Sequence, residues 1–584
     1  MNCRIVRRQP IQAQESGESP VSISALPENM HPVLRRIMLN RQVRDAGELE
    51  TGLDGLARPE LMGGMDDAVA LISRWIRDQG RILIVGDFDA DGATSTCLAI
   101  TALKAMGAHW VHYLVPNRFE YGYGLSPELV VEAVRFRPDL IITVDNGISS
   151  HHGVRAARTA GIDVLVTDHH LPGATLPNAN AIINPNLNGD SFPSKNLAGV
   201  GVVFYLMLAL RGHLRDEGWF EANELKAPNL ADSLDLVALG TVADVVPLDR
   251  NNRILVEQGL RRIRAGRVRP GIQALLEVAG RDPAQVKSSD MGFAIGPRLN
   301  AAGRLDDMSE GIECLLSREE ADAKRRAIRL DQLNRERREI ETGMRAEAIA
   351  VVETLQIDPQ GLPLGLCLYE ENWHEGVVGI VASRVKEEIH RPVIAFARSN
   401  DGALKGSARS VSGVHIRDVL ERIHALKPGL ILKFGGHAMA AGLTLAEQNY
   451  ETFKLAFETA VAEVLDPNAT EGVVYSDGEL RAGEMTLELA RQLAFVQPWG
   501  QGFPEPVFDG EFEVVSRKTI GDGSHLKMML RPLDGQSPVE AVAFNYRDEI
   551  PRQGEHLRVA FQLDVNHFRG EERLQCLIRH AERG

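Results

Sequence analysis

Cysteine is scarce in this chain and falls into no pattern. Among 584 residues there are five, Cys3, Cys97, Cys314, Cys367 and Cys576, and none stands in a C-x-x-C or histidine-linked spacing. That excludes a disulfide scaffold and a structural thiolate zinc site, and the scattered, odd set suits a reducing cytosol. Long apolar runs are also missing. The basic start from Met1 to Arg8 is followed by no apolar stretch, so neither a membrane span nor a secretory leader is expected, and the chain is placed in the cytoplasm. A basic field is absent too. The net charge is −15, so any nucleic-acid contact must be a local groove rather than a whole-molecule attraction. What remains is ordinary globular composition, 44% hydrophobic and 25% charged, at a length that suits roughly four domains.

One stretch organises the rest. Arg81 to Val85 is an apolar, β-branched run that reads as a buried strand. It stops at Gly86 and delivers Asp87, Asp89 and Asp91 on alternate positions before a helix expected over 93–106. In an extended loop these three carboxylates face one way and repel each other unless a cation sits between them. Apolar runs at 81–86, 111–115, 139–144 and 162–167 alternate with helical segments at 93–106, 127–136 and 151–160. This alternation predicts a parallel sheet with helices on both faces, and ligands of such sheets gather at the carboxyl ends of the strands.

The other strand ends carry chemistry as well. The third run closes on Asp145, and the fourth on Asp168, His169 and His170, a juxtaposition typical of metal ligation and of the groups that orient ligands. Asp244 interrupts an apolar helical segment, where a carboxylate is costly unless paired or metal-bound. Arg118 lies in a loop with aromatics and glycines that reads equally as a phosphate contact or as plain surface. His151 and His152 open a helix and read as solvated or capping.

These motifs come in a fixed order. GDFDADG, VDNG, TDHH and GTVADVVPL, followed by GPRLNAAGR at 296–304 and GGHAMAAG at 435–442, resemble the DHH phosphoesterase superfamily with its associated DHHA1 domain. Within it, the length and the C-terminal region look like the bacterial exonucleases that degrade single-stranded DNA in the 5′→3′ direction. The resemblance implies an α/β fold. A parallel-sheet DHH lobe is joined by a long helix to a smaller α/β DHHA1 lobe, and an OB-fold β-barrel follows at the C-terminus. The expected division is an N-terminal appendage over 1–65, a DHH metal domain over 66–250 and a helical connector over 251–356. A DHHA1 substrate domain over 357–465 and an OB-fold domain over 466–584 complete it. The apolar positions Leu330, Leu333, Ile340, Met344 and Val351 mark the long helix. Short alternating runs after 466 suit a small barrel, with Phe503, Phe508, Phe544, Tyr546 and Phe568 as candidate base-stacking residues, most of them expected in its core. Removing the chain from about 466 onward is expected to weaken strand binding and spare the metal centre.

The resemblance also implies a site. Asp87, Asp89, Asp91, Asp145, His169 and Asp244 form an oxygen-rich set with one imidazole, suited to two ions of Mn²⁺ or Mg²⁺. Asp145 would bridge them. Asp89 and Asp91 would fall to different ions, with His169 and Asp244 on the side of Asp91. Small-substrate members carry a ligating histidine where this chain has Val85, and Asp87 takes its place. His170 would contact phosphate or carry a proton, and Asp168 would support its neighbours. Asn300, Arg304, Ser407, Arg409, His437 and Arg118 would hold the substrate, with Ser407, Arg409 and His437 on glycine-rich turns and Arg118 on its loop forming a pocket for the 5′-terminal phosphate. Expected partners are single-stranded DNA, a single-strand-binding protein and a helicase that supplies unwound strand. Two alternatives stand beside this reading. One is a phosphodiesterase of the same superfamily acting on short RNA or cyclic dinucleotides, and the other is a non-catalytic DNA-binding scaffold.

Overall fold

The computed structural model describes residues 3–8, 26–27, 29–117, 124–355, 362–399, 402–465, 472–521, 523–546, 549–568 and 570–583. The chain divides into two compact units. One comprises residues 7–334 with 475–584, the other residues 1–6 with 335–474. The helix Glu320–Leu355 carries the chain from the first into the second.

In the first unit, five parallel strands run in the order Trp110–Leu114, Arg81–Val85, Leu140–Val144, Asp163–Thr167, Ala181–Ile183. Every residue of Leu140–Val144 is buried, as strands covered on both faces require. The strand Arg81–Val85 pairs with the second and the third strands, so the order reverses on either side of it. That switch point opens a crevice at the carboxyl ends.

The helix after the first strand begins at Ala90, three residues earlier than the sequence pattern predicts. The three acids therefore do not alternate along an extended loop. Asp87 is in the loop, Asp89 is the N-cap and Asp91 sits in the first helical turn. The early start is set by local chemistry, because the Asp89 carboxylate accepts the Gly92 N–H at 3.0 Å, a normal N-cap bond. Gly92 must stay small here, since a Cβ would lie 2.5 Å from the Asp87 carbonyl oxygen.

The C-terminal strands Phe508–Ile520, His525–Pro532, Val539–Ala543, Glu571–Arg583 and His556–Phe568 close into a barrel. Its pairings are antiparallel except between Val539–Ala543 and Glu571–Arg583, the five-stranded arrangement of an OB-fold. Phe508, Phe512 and Phe561 fill the interior and join one continuous hydrophobic cluster with Ile82, Leu98 and Leu239 of the metal-bearing region. The expectation that the chain after 466 could be removed without touching the metal centre is thereby overturned, because truncation would strip one side of a shared core. Phe503 and Phe508 are core residues, 2% and 0% exposed, whereas Phe544 is 59% exposed. Tyr546 is half-buried, and the Phe568 side chain lies outside the described residues.

The second unit has its own mixed sheet in the order Lys433–Gly436, Ala440–Ala446, Ala403–Arg409, Val393–Arg398, Leu366–Tyr369. Only the last pair is parallel. Its core gathers Phe396, Phe453 and Phe457.

Candidate metal centre

Seven of the predicted side chains meet at the carboxyl ends of the parallel strands. Ligand atoms of Asp91, His169 and Asp244 lie within 4.8 Å of one another, as do those of Asp87, Asp89 and Asp145, and those of Asp145, His169 and His170. His169 Nε2 stands 3.1 Å from Asp145 Oδ1 and 3.5 Å from Asp244 Oδ2. Asp145 thus belongs to groups on both sides of the cluster.

Local structure aims each of them. Asp145 ends its strand in the left-handed region, φ +63°, which Asp tolerates better than most residues. Its N–H still donates to the Thr167 carbonyl at 3.1 Å. Gly199 makes room for it, since a Cβ there would lie 2.6 Å from the Asp145 Cβ. Asp91 accepts Gly199 N–H at 2.5 Å and Val200 N–H at 2.9 Å, the first N–H groups of the helix Gly199–Asp216. A carboxylate at the positive end of a helix is favourable. Asp244 is the C-cap of the helix Leu234–Ala243.

The electrostatics are unbalanced. Burial, then the charges of neighbouring aspartates, lift the Asp145 and Asp244 carboxyls well above the ordinary range. Burial and Asp89 push Asp91 up to about 7 against the pull of its two backbone N–H donors. Among the described residues the buried Asp244 Oδ2 atom has no hydrogen-bond partner. Acids crowded together out of water fit a multivalent cation, and a mostly oxygen donor set with one imidazole fits Mn²⁺ or Mg²⁺ better than zinc.

Asp168 is the counter-example within the same loop. It is wholly buried, yet its carboxyl lies below the ordinary range. Burial would raise it, but four donors outweigh that. They are His170 Nδ1 at 2.7 Å and the N–H groups of Ile148, His169 and His170 at 2.8, 2.8 and 3.0 Å. Asp168 holds the loop and the ring of His170. Burial lowers the His170 imidazole, and Asp168 more than offsets it, so its pKa is raised.

The remaining candidates fall into three places. Asn300 is on the helix Gly296–Leu305, and its Oδ1 accepts the Ala90 N–H at 2.7 Å, which ties it to the loop of Asp87 and Asp89. The same helix comes so close that a Cβ on Gly303 would lie 1.8 Å from the Phe88 carbonyl oxygen. Arg304 is half-buried at the end of that helix. In the second unit, Ser407 and Arg409 are on the strand Ala403–Arg409 and not on a turn as predicted. The intervening glycine is there for packing, since a Cβ on Gly406 would meet the Phe396 ring at 2.4 Å. Arg409 Nη1 donates to Ser407 Oγ at 3.0 Å, and a Cβ on Gly379 would lie 2.9 Å from both Ser407 Oγ and Arg409 Nη2. Gly379 is in the first turn of the helix Val378–Ile389, so the two side chains stand by its N-terminal N–H groups. His437 follows the strand Lys433–Gly436 in a tight hairpin and donates its N–H to the Ala440 carbonyl at 2.8 Å. Arg118 lies outside the described residues.

Sequence reasoning passed over Asn184 and Asn186. Their side-chain amides donate to the carbonyls of His170 at 2.8 Å and His169 at 2.6 Å. The signal was an Asn-Pro-Asn directly after a short strand, a turn composition that orders a neighbouring loop. A cleft of about 1310 Å³ is lined both by Val245, next to Asp244, and by Gln562 and His567 of the barrel.

Comparison with known proteins agrees with this architecture. Residues 81–241 match the DHH family, N-terminal domain, residues 362–463 the DHHA1 domain, and residues 476–580 the RecJ OB domain. The single-stranded-DNA-specific exonuclease RecJ of Dickeya dadantii (strain 3937) is 56% identical over 566 residues, spanning 96% of this chain and 98% of that protein. The Escherichia coli (strain K12) protein of the same name is 55% identical over 555 residues, 95% of this chain and 96% of the other. The crystal structure of RecJ in complex with Mn²⁺ from Thermus thermophilus is similar with a TM-score of 0.80 at 30% identity, covering 100% of this chain and 80% of that one. A Mg²⁺ complex from the same source gives 0.73 at 28% identity, covering 100% of this chain and 78% of that one.

Proposed function

The chain belongs to the RecJ family of single-stranded-DNA-specific exonucleases, and from that premise we propose that it removes nucleotides from single-stranded DNA in the 5′→3′ direction using two divalent ions, Mn²⁺ or Mg²⁺. The observation that carries the reading is the convergence of Asp87, Asp89, Asp91, Asp145, His169 and Asp244, with ligand atoms grouped within 4.8 Å. Asp145 belongs to groups on both sides and is the residue suited to be shared. When bound, the ions lower the pKa of an attacking water and offset charge building on the phosphoryl oxygens.

The chain's own groups do the rest. Asp91 and Asp145 are held by backbone contacts, so the acids keep their spacing before substrate arrives. Asn300 and the close approach of Gly303 fix the loop of Asp87 and Asp89. With Nδ1 committed to Asp168, Nε2 is the His170 atom that would meet a phosphate oxygen or pass a proton to the leaving group. In the second unit Arg409, the Ser407 hydroxyl and the N-terminus of Val378–Ile389 can all donate, which suits a terminal phosphate. His437 and Arg304 are the further substrate contacts. The barrel, with Phe544 exposed, would hold the strand.

Such an enzyme acts in the cytoplasm in DNA recombination and repair. It depends on a helicase to present single strands and meets single-strand-binding protein on them. Among the described residues no helix is long and apolar enough to cross a membrane. The test is digestion of end-labelled single- and double-stranded DNA with each metal. Release of nucleotides from the 5′ end of single strands alone is expected, and release from 3′ ends would overturn the polarity.

A further inference from the structure

The helix Leu234–Ala243 ends on the candidate ligand Asp244, and the next residue, Val245, adopts φ +62°. That is the position where helices place glycine, and a β-branched residue is strained there. Such a conformation persists only where the surroundings over-determine it, and the chain just beyond is tied down at every step. Leu248 N–H donates to the Gln501 carbonyl at 2.7 Å. Asn252 Nδ2 donates to the Pro247 carbonyl at 3.0 Å, and Arg253 Nη1 to the Leu248 carbonyl at 3.1 Å. The Arg253 guanidinium in turn lies 4.4 Å from the centre of the Phe503 ring.

Two of these contacts, from the Leu248 N–H and the Arg253 guanidinium, end on a tight hairpin that leads into the barrel. Gly500 and Phe503 exchange backbone hydrogen bonds at 2.9 and 3.1 Å. Trp499 and Phe503 stack at 5.3 Å, both buried, and Ser288 Oγ donates to the Trp499 carbonyl at 2.6 Å. Glycine is required on the side facing the turn. A Cβ on Gly500 would lie 2.7 Å from Leu248 Cδ1, and one on Gly502, at φ +71°, would lie 3.2 Å from Pro247 Cβ.

We infer that residues 499–503 are a positioning clasp for Asp244. By pinning residues 247–248 they hold Val245 in its strained conformation and thereby fix the Asp244 carboxylate toward His169. The inference rests on Asp244 being a metal ligand. It makes the segment before the barrel part of the scaffold of the metal centre, so metal affinity depends on residues that touch neither metal nor DNA. By linkage, metal held at Asp244 must also stabilise the Leu248–Gln501 bond.

The test uses the full chain. Manganese binding is measured by titration calorimetry for wild type, Asp244→Asn and Gly502→Val, alongside thermal unfolding without metal. Asp244→Asn is expected to bind one fewer ion. Gly502→Val is expected to keep the stoichiometry while its affinity falls about tenfold, the lower end for residues that orient ligands. A purely structural role would lower the unfolding temperature and leave that affinity alone. Full stoichiometry in Asp244→Asn would overturn the ligand reading and the clasp with it. Loss of an ion there with wild-type affinity in Gly502→Val would overturn the clasp alone. Hydrogen exchange on the wild type decides even if Gly502→Val fails to fold. Peptides covering 245–248 and 497–503 should gain protection when Mn²⁺ is added, and no gain overturns the proposal.

Discussion

The rim of the parallel sheet and the strand Ala403–Arg409 are opposites. The rim collects acceptors, with Asp87, Asp91 and Asp145 buried and Asp244 Oδ2 lacking a hydrogen-bond partner among the described residues. The strand carries Ser407 and Arg409 beside a helix N-terminus, and burial lowers the Arg409 guanidinium pKa. Each is a half-built electrostatic pair. The first suits cations, and under the proposed function the second would suit an anion. The difference teaches where binding energy resides, because groups left unmatched within the chain are the ones available to a ligand.

The largest effect should come from breaking the acceptor side. Asp145→Ala, His169→Ala and Asp91→Ala should each cut turnover by about a thousandfold or more at saturating Mn²⁺, the upper scale for losing one electrostatic contributor. The protein should stay folded, because all three residues stand at or just beyond the carboxyl ends of the strands, outside the hydrophobic core. Circular dichroism and initial rates on single-stranded DNA check both halves. Wild-type-like turnover in Asp145→Ala would rule out the two-metal site.

Breaking the donor side should cost less and do so selectively. Arg409→Ala removes a contact to a charged group, worth about 1.5–3 kcal/mol. The loss should be large on 5′-phosphorylated DNA and small on 5′-hydroxyl DNA. Equal losses on the two substrates would mean that Arg409 holds backbone phosphates generally.

A third arrangement serves as control. Asp509 is a wholly buried carboxylate matched inside the chain. It accepts from Arg7 Nη2 at 2.8 Å, Ser476 Oγ at 2.5 Å and Arg558 Nη2 at 3.2 Å. Burial would raise it, but Arg7 and the other donors hold it below the ordinary range. A depressed folded pKa means stability present above the unfolded value of about 3.9 and lost as pH falls through the folded one. Asp509→Ala should therefore destabilise by about 2–3 kcal/mol at pH 7, discounted because Arg7 is half exposed. It should also flatten the acid limb of the stability curve and leave Mn²⁺ affinity unchanged. Denaturant titrations at pH 7 and pH 3 measure it, and a loss that persists undiminished at pH 3 would show that packing, not charge, holds the joint.

These contrasts also show what the sequence could and could not reveal. Asp87, Asp145 and Asp168 were legible because each follows an apolar run that stops abruptly, and Asp244 because it is an acid on an apolar segment, which the structure shows to be the C-cap of a helix and not its interior. The bond from the Ala90 N–H to Asn300 Oδ1 was not legible, since spacing cannot tell which backbone group an amide will meet. Ser407 and Arg409 were placed on turns because glycine suggests a bend, whereas Gly406 is small to admit the Phe396 ring. The shared core of sheet and barrel, and the contact of 247–248 with 499–503, join segments far apart in sequence and leave no local periodicity.

The smallest effect concerns an aromatic that the fold does not need. Phe544 is 59% exposed after the strand Val539–Ala543, touching the His525 ring edge-on at 5.3 Å. It neither fills the core nor carries charge, so it belongs to neither half of the opening contrast. Its π-face can stack a base, a contact worth about 1–3 kcal/mol and indifferent to sequence. Because the phosphate contacts would remain, Phe544→Ala should weaken binding of a long oligonucleotide about five- to tenfold at every salt concentration without changing the slope of log affinity against log salt. Turnover on a short strand at saturation should be untouched. Fluorescence anisotropy across a salt series distinguishes the cases. A parallel downward shift marks a stacking residue, and a shallower slope would mean that the barrel had moved its cations. No shift at all would leave the barrel's grip to backbone charge alone.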